Sequence, residues 1–286
     1  MVLKSRILSY RILNVFTEGD DPFSGNPLCV FEDGEGLSDK DMQDLARQLN
    51  LSETTFITPG QAEVTANVRI FTPNYEMPFA GHPTLGTAFV VRELSSAQDA
   101  VLLRMPAGDI PVHRTGDVWT LQAKAPTSSP VDVPASDLTA MIGLTADRVA
   151  AEPLWVDTGT IQLILPLRTA QDVRTAVADP RLLEKSASGP DGESLVYLWA
   201  PTGPETIEAR LFFTQNRSVI EDPATGSACA NLGGWFLANR QRGLRRRIHQ
   251  GSAIQRPSVL DLAVSEDGTI LVSGTVREVG RGTFTI

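Results

Sequence analysis

Residues Phe71 to Phe89 read FTPNYEMPFAGHPTLGTAF, and residues Phe213 to Phe236 read FTQNRSVIEDPATGSACANLGGWF. In each stretch an apolar run ends in Phe-Thr, a polar turn carries Asn, and a Gly followed by a polar residue opens an apolar helical run. One such passage is unremarkable. Two copies, spaced by roughly half the chain, are the mark of a duplicated unit. The two helix openings also carry the residues whose chemistry is of most interest.

Outward from these copies, short strand-like runs dominate. Ile7, Tyr10, Ile12 and Val15 are interleaved with polar residues, Leu28–Phe31 reads as a second strand, and Val64–Phe71 alternates. Ser38 followed by Asp41, with Leu37 and Met42 placed to staple, predicts a helix that carries Leu45, Ala46 and Leu49 and stops near Asn50. Glu53–Thr58 then resumes as a strand rich in β-branched residues. Further strands are expected at Glu152–Val156, Ile161–Leu167 and Ser194–Ala200, with a loop over Ser186–Glu193. The segment Ala123–Ser136, with Pro126, Pro130 and Pro134, is the expected linker. The pattern is that of an α+β protein with two sheet-rich halves, 1–122 and 123–276.

The chain has 286 residues, 42% hydrophobic and 21% charged, which is ordinary globular usage. Its formal net charge of −9 opposes binding to nucleic acid or to anionic membrane surfaces. No apolar run reaches the ~20 residues that span a bilayer. Lys4, Arg6 and Arg11 interrupt any N-terminal signal core, and two cysteines allow at most one bridge, so a reduced, cytoplasmic protein is expected. The basic run Arg240, Arg242, Arg245, Arg246 and Arg247 lacks interleaved aromatics and reads as a solvated helix end and turn.

At Gly81-His82-Pro83 and at Gly226-Ser227 a helix N-terminus presents backbone N–H groups without intrahelical partners, and the helix dipole adds partial positive charge. Such ends can clamp a small carboxylate, or be ordinary capped core helices. Four side chains near them can do acid–base work: Glu53, His82, Asp222 and Ser227. Glu53 is either a general base or a solvated loop carboxylate, Asp222 also suits a turn start before Pro223, and His82 could serve only as a cap. His82, His113 and His249 show no metal-ligand spacing with Cys29 or Cys229, so no metal is expected. Nucleotide cradles and the G-x-S-x-G elbow of serine hydrolases are absent.

Six segments together carry a family likeness: Phe16–Val30 (FTEGDDPFSGNPLCV), Asn50–Phe56 (NLSETTF), Arg69–Gly86 (RIFTPNYEMPFAGHPTLG), Glu221–Ala228 (EDPATGSA), Gln250–Pro257 (QGSAIQRP) and Val276–Thr283 (VREVGRGT). In this order they resemble the phenazine-biosynthesis PhzF-like family, from the first strand to the C-terminus. The resemblance implies a diaminopimelate epimerase-like fold: two pseudo-symmetric halves, each a curved, mostly antiparallel sheet around a central helix, with the site in the cleft between them. It also implies that the last strand, about 277–286, returns to the first half. One departure is Asn14-Val15-Phe16-Thr17, where the family usually has Asp at the first position.

The resemblance further implies roles. Glu53 matches the family's proton-shuttling glutamate, and His82, Asp222 and Ser227 match the polar groups around the substrate. The backbone amides of Gly81, His82, Gly226 and Ser227 would hold its carboxylate. The two-cysteine racemases of the superfamily carry thiols where this chain has Ala80 and Thr225, which disfavours a two-thiol mechanism. The expected activity is a cofactor-independent isomerisation of a small carboxylate-bearing molecule, similar to that of trans-2,3-dihydro-3-hydroxyanthranilate isomerase, by a homodimer. The alternatives are an amino-acid epimerase or racemase working without two thiols, and a non-catalytic small-acid binding protein.

Overall fold

A computed structural model describes residues 5–95, 99–189 and 192–286. Lys4, and the part of the expected loop at Pro190 and Asp191, lie outside the described residues. The chain divides into two compact units, one of residues 1–122 with 273–286 and the other of residues 123–272.

The first unit comprises β1 (Ile7–Val15), β2 (Asn26–Phe31), α1 (Asp39–Leu49), β3 (Glu53–Pro59), β4 (Ala66–Phe71), β5 (Glu76–Met77), α2 (Gly81–Ser95), β6 (Ala100–Met105), β7 (Gly108–Thr115) and β8 (Val118–Gln122). The C-terminal strand, Ile270–Thr285, pairs antiparallel with β1. Pairing continues through β1–β2, β2–β3, β3–β4, β4–β6, β6–β7 and β7–β8, and β8 meets the C-terminal strand. The sheet thus closes on itself around α2. That helix has buried residues on every side, from Gly81 to Val91, as an axial helix must. Gly86 is required there: a Cβ would lie 2.5 Å from Leu28 and 3.0 Å from Val15.

On the outer face α1 covers Leu8, Cys29, Phe31, Phe56 and Phe71 with Met42, Leu45 and Ala46. Its ends follow from local chemistry. Ser38 and Asp41 form a reciprocal capping box, and Asn50 closes the helix in the left-handed conformation.

The second unit repeats this plan with β9 (Thr127–Pro130), α3 (Ala135–Ala140), β10 (Leu154–Asp157), β11 (Ile161–Pro166), α4 (Ala170–Thr175), α5 (Pro180–Ser186), β12 (Leu195–Pro201), β13 (Thr206–Gln215), β14 (Ser218–Asp222), α6 (Gly226–Ala238), β15 (Leu244–Gln250) and β16 (Ser258–Val264). The correspondence is topological. The β2–β3 and β11–β12 pairs are both parallel, and β4–β5 and β13–β14 are both hairpins leading into the axial helix. β4–β6 and β13–β15 are again parallel. α6 is buried all round from Ala228 to Phe236, and the face away from it packs α3, α4 and α5 over Leu163, Leu165, Val196 and Leu198. Both units are therefore α+β, each a curved sheet with a central helix.

Two expectations need correction. Ala123–Ser136 is no plain linker, because Thr127–Pro130 pairs with β10 and α3 starts at Ala135. All four β9 residues are exposed, and at a sheet edge exposed Ser and Thr flanked by Pro126 and Pro130 are tolerated. The basic run is also not a helix end throughout. After the turn at Gly243, Arg245–Arg247 lie on β15, where Arg247 pairs with Asp261 at 3.1 Å.

Candidate active site

In the first unit, Glu53 is the first residue of β3 and sits opposite Leu28 of β2, on the sheet face that α2 covers. Its side chain is 15% exposed and its Oε2 lies 3.3 Å from Nε2 of His82. The solvated-loop alternative for Glu53 does not apply. His82 lies inside the first turn of α2 rather than at a cap, and its ring is turned inward. Burial pushes the imidazole pKa down to about 3, so the ring is neutral near pH 7.

The ring has two further polar neighbours, Pro27 and Asn26. The backbone of Pro27 hydrogen-bonds the imidazole, and proline offers only a carbonyl, so a ring N–H donates there. Nδ1 also lies 3.4 Å from Nδ2 of the buried Asn26, a contact whose donor and acceptor roles depend on the ring's tautomer. At 3.3 Å the ring and the Glu53 carboxyl are in direct side-chain contact.

Asn26 and Ser52 brace this pair, the Ser52 hydroxyl reaching Asn26 Oδ1 at 3.5 Å. Gly25, with φ of 80°, lets the chain enter β2 there, since a Cβ would meet the Val15 carbonyl at 2.6 Å. Asn14 is buried and donates from Nδ2 to the Pro22 carbonyl at 2.7 Å, a bond that an ionised Asp could not make. At the helix entry Thr84 N bonds Ala80 O, and Ala80 carries no polar side chain with which to cap.

In the second unit, Asp222 ends β14 and accepts from the Thr225 hydroxyl. Gln250 Nε2 donates to Asp222 O at 2.9 Å and to Thr225 Oγ1 at 3.0 Å. Thr225 is the N-cap of α6, yet with its hydroxyl drawn to Asp222 it makes no side-chain cap bond. The first amides of α6, those of Gly226 and Ser227, thus have no cap from the Thr225 side chain. Ser227 is half-buried and its Oγ accepts from Gln162 Nε2 at 3.1 Å. Tyr197, level with Asp222 across β13, is wholly buried, and burial with the nearby Cys229 and Asp222 raises its pKa well above normal.

Cys29 and Cys229 are free and buried. Burial pushes the Cys29 thiol up to about 12 and raises that of Cys229 as well, so neither is a nucleophile near neutrality. Among the described residues no three His, Cys, Asp or Glu side chains converge as metal ligands, and no helix is long and apolar enough to cross a membrane. A recess of about 540 Å³ in the first unit, lined by residues such as Gly36, Met42, Gln61 and Arg69, contains none of the candidate residues.

The structure thus pairs Glu53 with His82, and fixes Asp222 and Ser227 on the helix entry of the second unit. Sequence reasoning missed Asn26, Gln162 and Gln250 as site supports. Gln162 had a signal, being one polar residue inside the apolar strand Ile161–Leu165.

Comparison with known proteins agrees with this architecture. A family model described as "Phenazine biosynthesis-like protein" matches residues 13–281. A protein of Pasteurella multocida named as an uncharacterized isomerase is 39% identical over 276 residues, covering 96% of this chain and 93% of its own. The trans-2,3-dihydro-3-hydroxyanthranilate isomerase of Pseudomonas aeruginosa is 34% identical over 256 residues, 87% of each chain. The crystal structure of a PhzF-family phenazine biosynthesis protein from Bacillus anthracis superposes with a TM-score of 0.86 over 98% of this chain and 100% of its own, at 20% identity.

Proposed function

The chain belongs to the phenazine biosynthesis-like (PhzC-PhzF) family and is an isomerase of that family, and from there we propose a cofactor-independent proton shuttle through Glu53 acting on a small, carboxylate-bearing substrate. The observation that carries the reading is the buried Glu53–His82 contact of 3.3 Å against a neutral imidazole. In the reaction the Glu53 carboxylate takes a proton from an activated carbon, and the C–H electron pair passes into adjacent unsaturation. The same proton is then delivered to a different carbon, so the double bond moves and no atom is gained or lost. His82 holds the carboxyl in place and accepts its proton by hydrogen bond between the two steps.

Each helix entry is assigned as a carboxylate-binding end within its own unit, through the amides of Gly81 and His82 in the first and of Gly226 and Ser227 in the second. Asp222 and Ser227 orient the remaining polar groups and offset developing charge. Trans-2,3-dihydro-3-hydroxyanthranilate, the substrate in the name of the Pseudomonas aeruginosa relative, is the first compound to try.

The test is proton NMR in D2O of trans-2,3-dihydro-3-hydroxyanthranilate, proline and diaminopimelate, each with wild type and with Glu53→Gln. Deuterium entering a new carbon with wild type alone supports the shuttle. Inversion at the α-carbon would replace it with epimerisation, and turnover by Glu53→Gln would overturn it.

A further inference from the structure

Behind Ser227 runs a chain of buried polar side chains that the reaction itself does not use. Thr158 Oγ1 donates to Asn231 Oδ1 at 2.7 Å. Asn231 Nδ2 donates to the Thr160 carbonyl at 2.8 Å and to Gln162 Oε1 at 2.8 Å. Gln162 Nε2 donates to Ser227 Oγ at 3.1 Å. Asn231 is 0% exposed and Gln162 1%, on the axial helix and on β11 of one unit.

The direction of this chain is fixed from one end. The two ends of a carboxamide look alike, but a backbone carbonyl can only accept, so the atom of Asn231 that faces Thr160 O is nitrogen. The nitrogen's second proton must then find an acceptor, which makes the facing atom of Gln162 its oxygen. Gln162 therefore shows its nitrogen to Ser227. Gln162 is the one side-chain partner of Ser227 among the described residues, and it occupies an acceptor position of the hydroxyl. With Gln162 donating to its oxygen, the Ser227 hydroxyl keeps its own proton to donate elsewhere.

We propose that Gln162 and Asn231 are positioning residues that lock Ser227 as a hydrogen-bond donor, so that this helix entry selects an acceptor-only group, a deprotonated carboxylate, over its neutral amide. The inference rests on the reading that Ser227 faces the substrate. A buried network of this kind carries no ligand itself. It removes the alternative in which the hydroxyl turns inward and offers the substrate a lone pair.

The test compares binding of anthranilate with that of anthranilamide, two probes of one shape, by calorimetry. Wild type should favour anthranilate by about tenfold or more, the scale of a hydrogen bond to a charged group. Gln162→Glu reverses the polarity and draws the Ser227 proton inward; Gln162→Met removes the donor without adding charge or an acceptor. Each should cut the anthranilate preference by about threefold or more, and neither should do so in a Ser227→Ala background, where the coupling is gone.

A structural role would weaken both probes together and leave the ratio unchanged. An unaltered ratio in folded Gln162→Met, or equal effects with and without Ser227, would overturn the proposal while leaving the isomerase reading in place. A wild type that binds neither probe, or binds both alike, would overturn the carboxylate reading and this inference with it.

Discussion

His82 Nε2 lies 3.3 Å from Glu53 Oε2, inside a single unit, with the imidazole neutral and anchored on the Pro27 carbonyl. Of the two side chains the carboxyl is the more exposed, at 15% against 6% for the imidazole. This asymmetry separates the roles. In the proposed shuttle Glu53 moves the proton, and His82 sets where the carboxyl points.

Substitutions should separate the two residues kinetically. Glu53→Gln keeps shape and a hydrogen-bonding end but cannot carry the proton, and should lower kcat by about 10³-fold or more, the upper range for a general acid–base group. His82→Gln retains a polar side chain without the ring and should cost less, about 10–100-fold. Steady-state kinetics on the substrate identified by deuterium exchange checks both, with circular dichroism confirming that each variant folds.

Gly251 should be far less tolerant of alanine than Gly116, although both have positive φ. At Gly251 (φ 79°) a Cβ would lie 2.3 Å from Arg256 O and 2.5 Å from Pro223 O, whereas at Gly116 (φ 61°) nothing lies within 4 Å. Gly116→Ala should cost about 1 kcal/mol of backbone strain alone, and Gly251→Ala at least about 2 kcal/mol more, as backbone must move. Urea unfolding midpoints read the difference. Gly251→Ala should also lower kcat, because the displaced carbonyl belongs to the turn that holds Asp222.

What the residues disclose unaided depends on how far apart the interacting groups lie. The α1 boundaries were legible because Ser38, Asp41 and Asn50 act within one turn of their own helix. The duplicated helix entries were legible because Gly81-His82-Pro83 and Gly226-Ser227 repeat a local pattern. The docking of Gln250 against Asp222 and Thr225 was not, since it joins motifs far apart in the chain and no periodicity reports it. The Thr127–Pro130 strand was missed for another reason: an exposed edge strand has no buried face, so its sequence carries no alternation. Asn231 sits in an apolar helix with its partners on β11 and the preceding turn, and a lone buried amide announces only that some partner exists.

The cysteines should prove dispensable. Cys29 and Cys229 are both buried with raised thiol pKa values, so 5,5′-dithiobis(2-nitrobenzoate) should react with neither in the native protein at pH 8 and with both in guanidinium chloride. The Cys29→Ala, Cys229→Ala double variant should keep wild-type kcat and lose stability only, by roughly 1–2 kcal/mol per site for the lost packing. A fall in kcat by orders of magnitude would reinstate thiol chemistry.

Acid should destabilise the protein through His82. Its pKa is about 3 in the folded chain against an ordinary 6.5, so between those values the unfolded state binds the extra proton. Stability then rises with pH across that window, is complete above pH 6.5, and is lost as pH falls toward 3. A single group titrating in this way contributes a slope of about 1.4 kcal/mol per pH unit at most. Denaturant unfolding at pH 7, 6, 5 and 4 measures the slope for wild type and for His82→Gln. The variant should be less stable at pH 7 and show a shallower dependence, because the uncharged amide has no proton to take up on unfolding. Parallel slopes in the two proteins would mean that burial does not lower the ring's pKa in the fold.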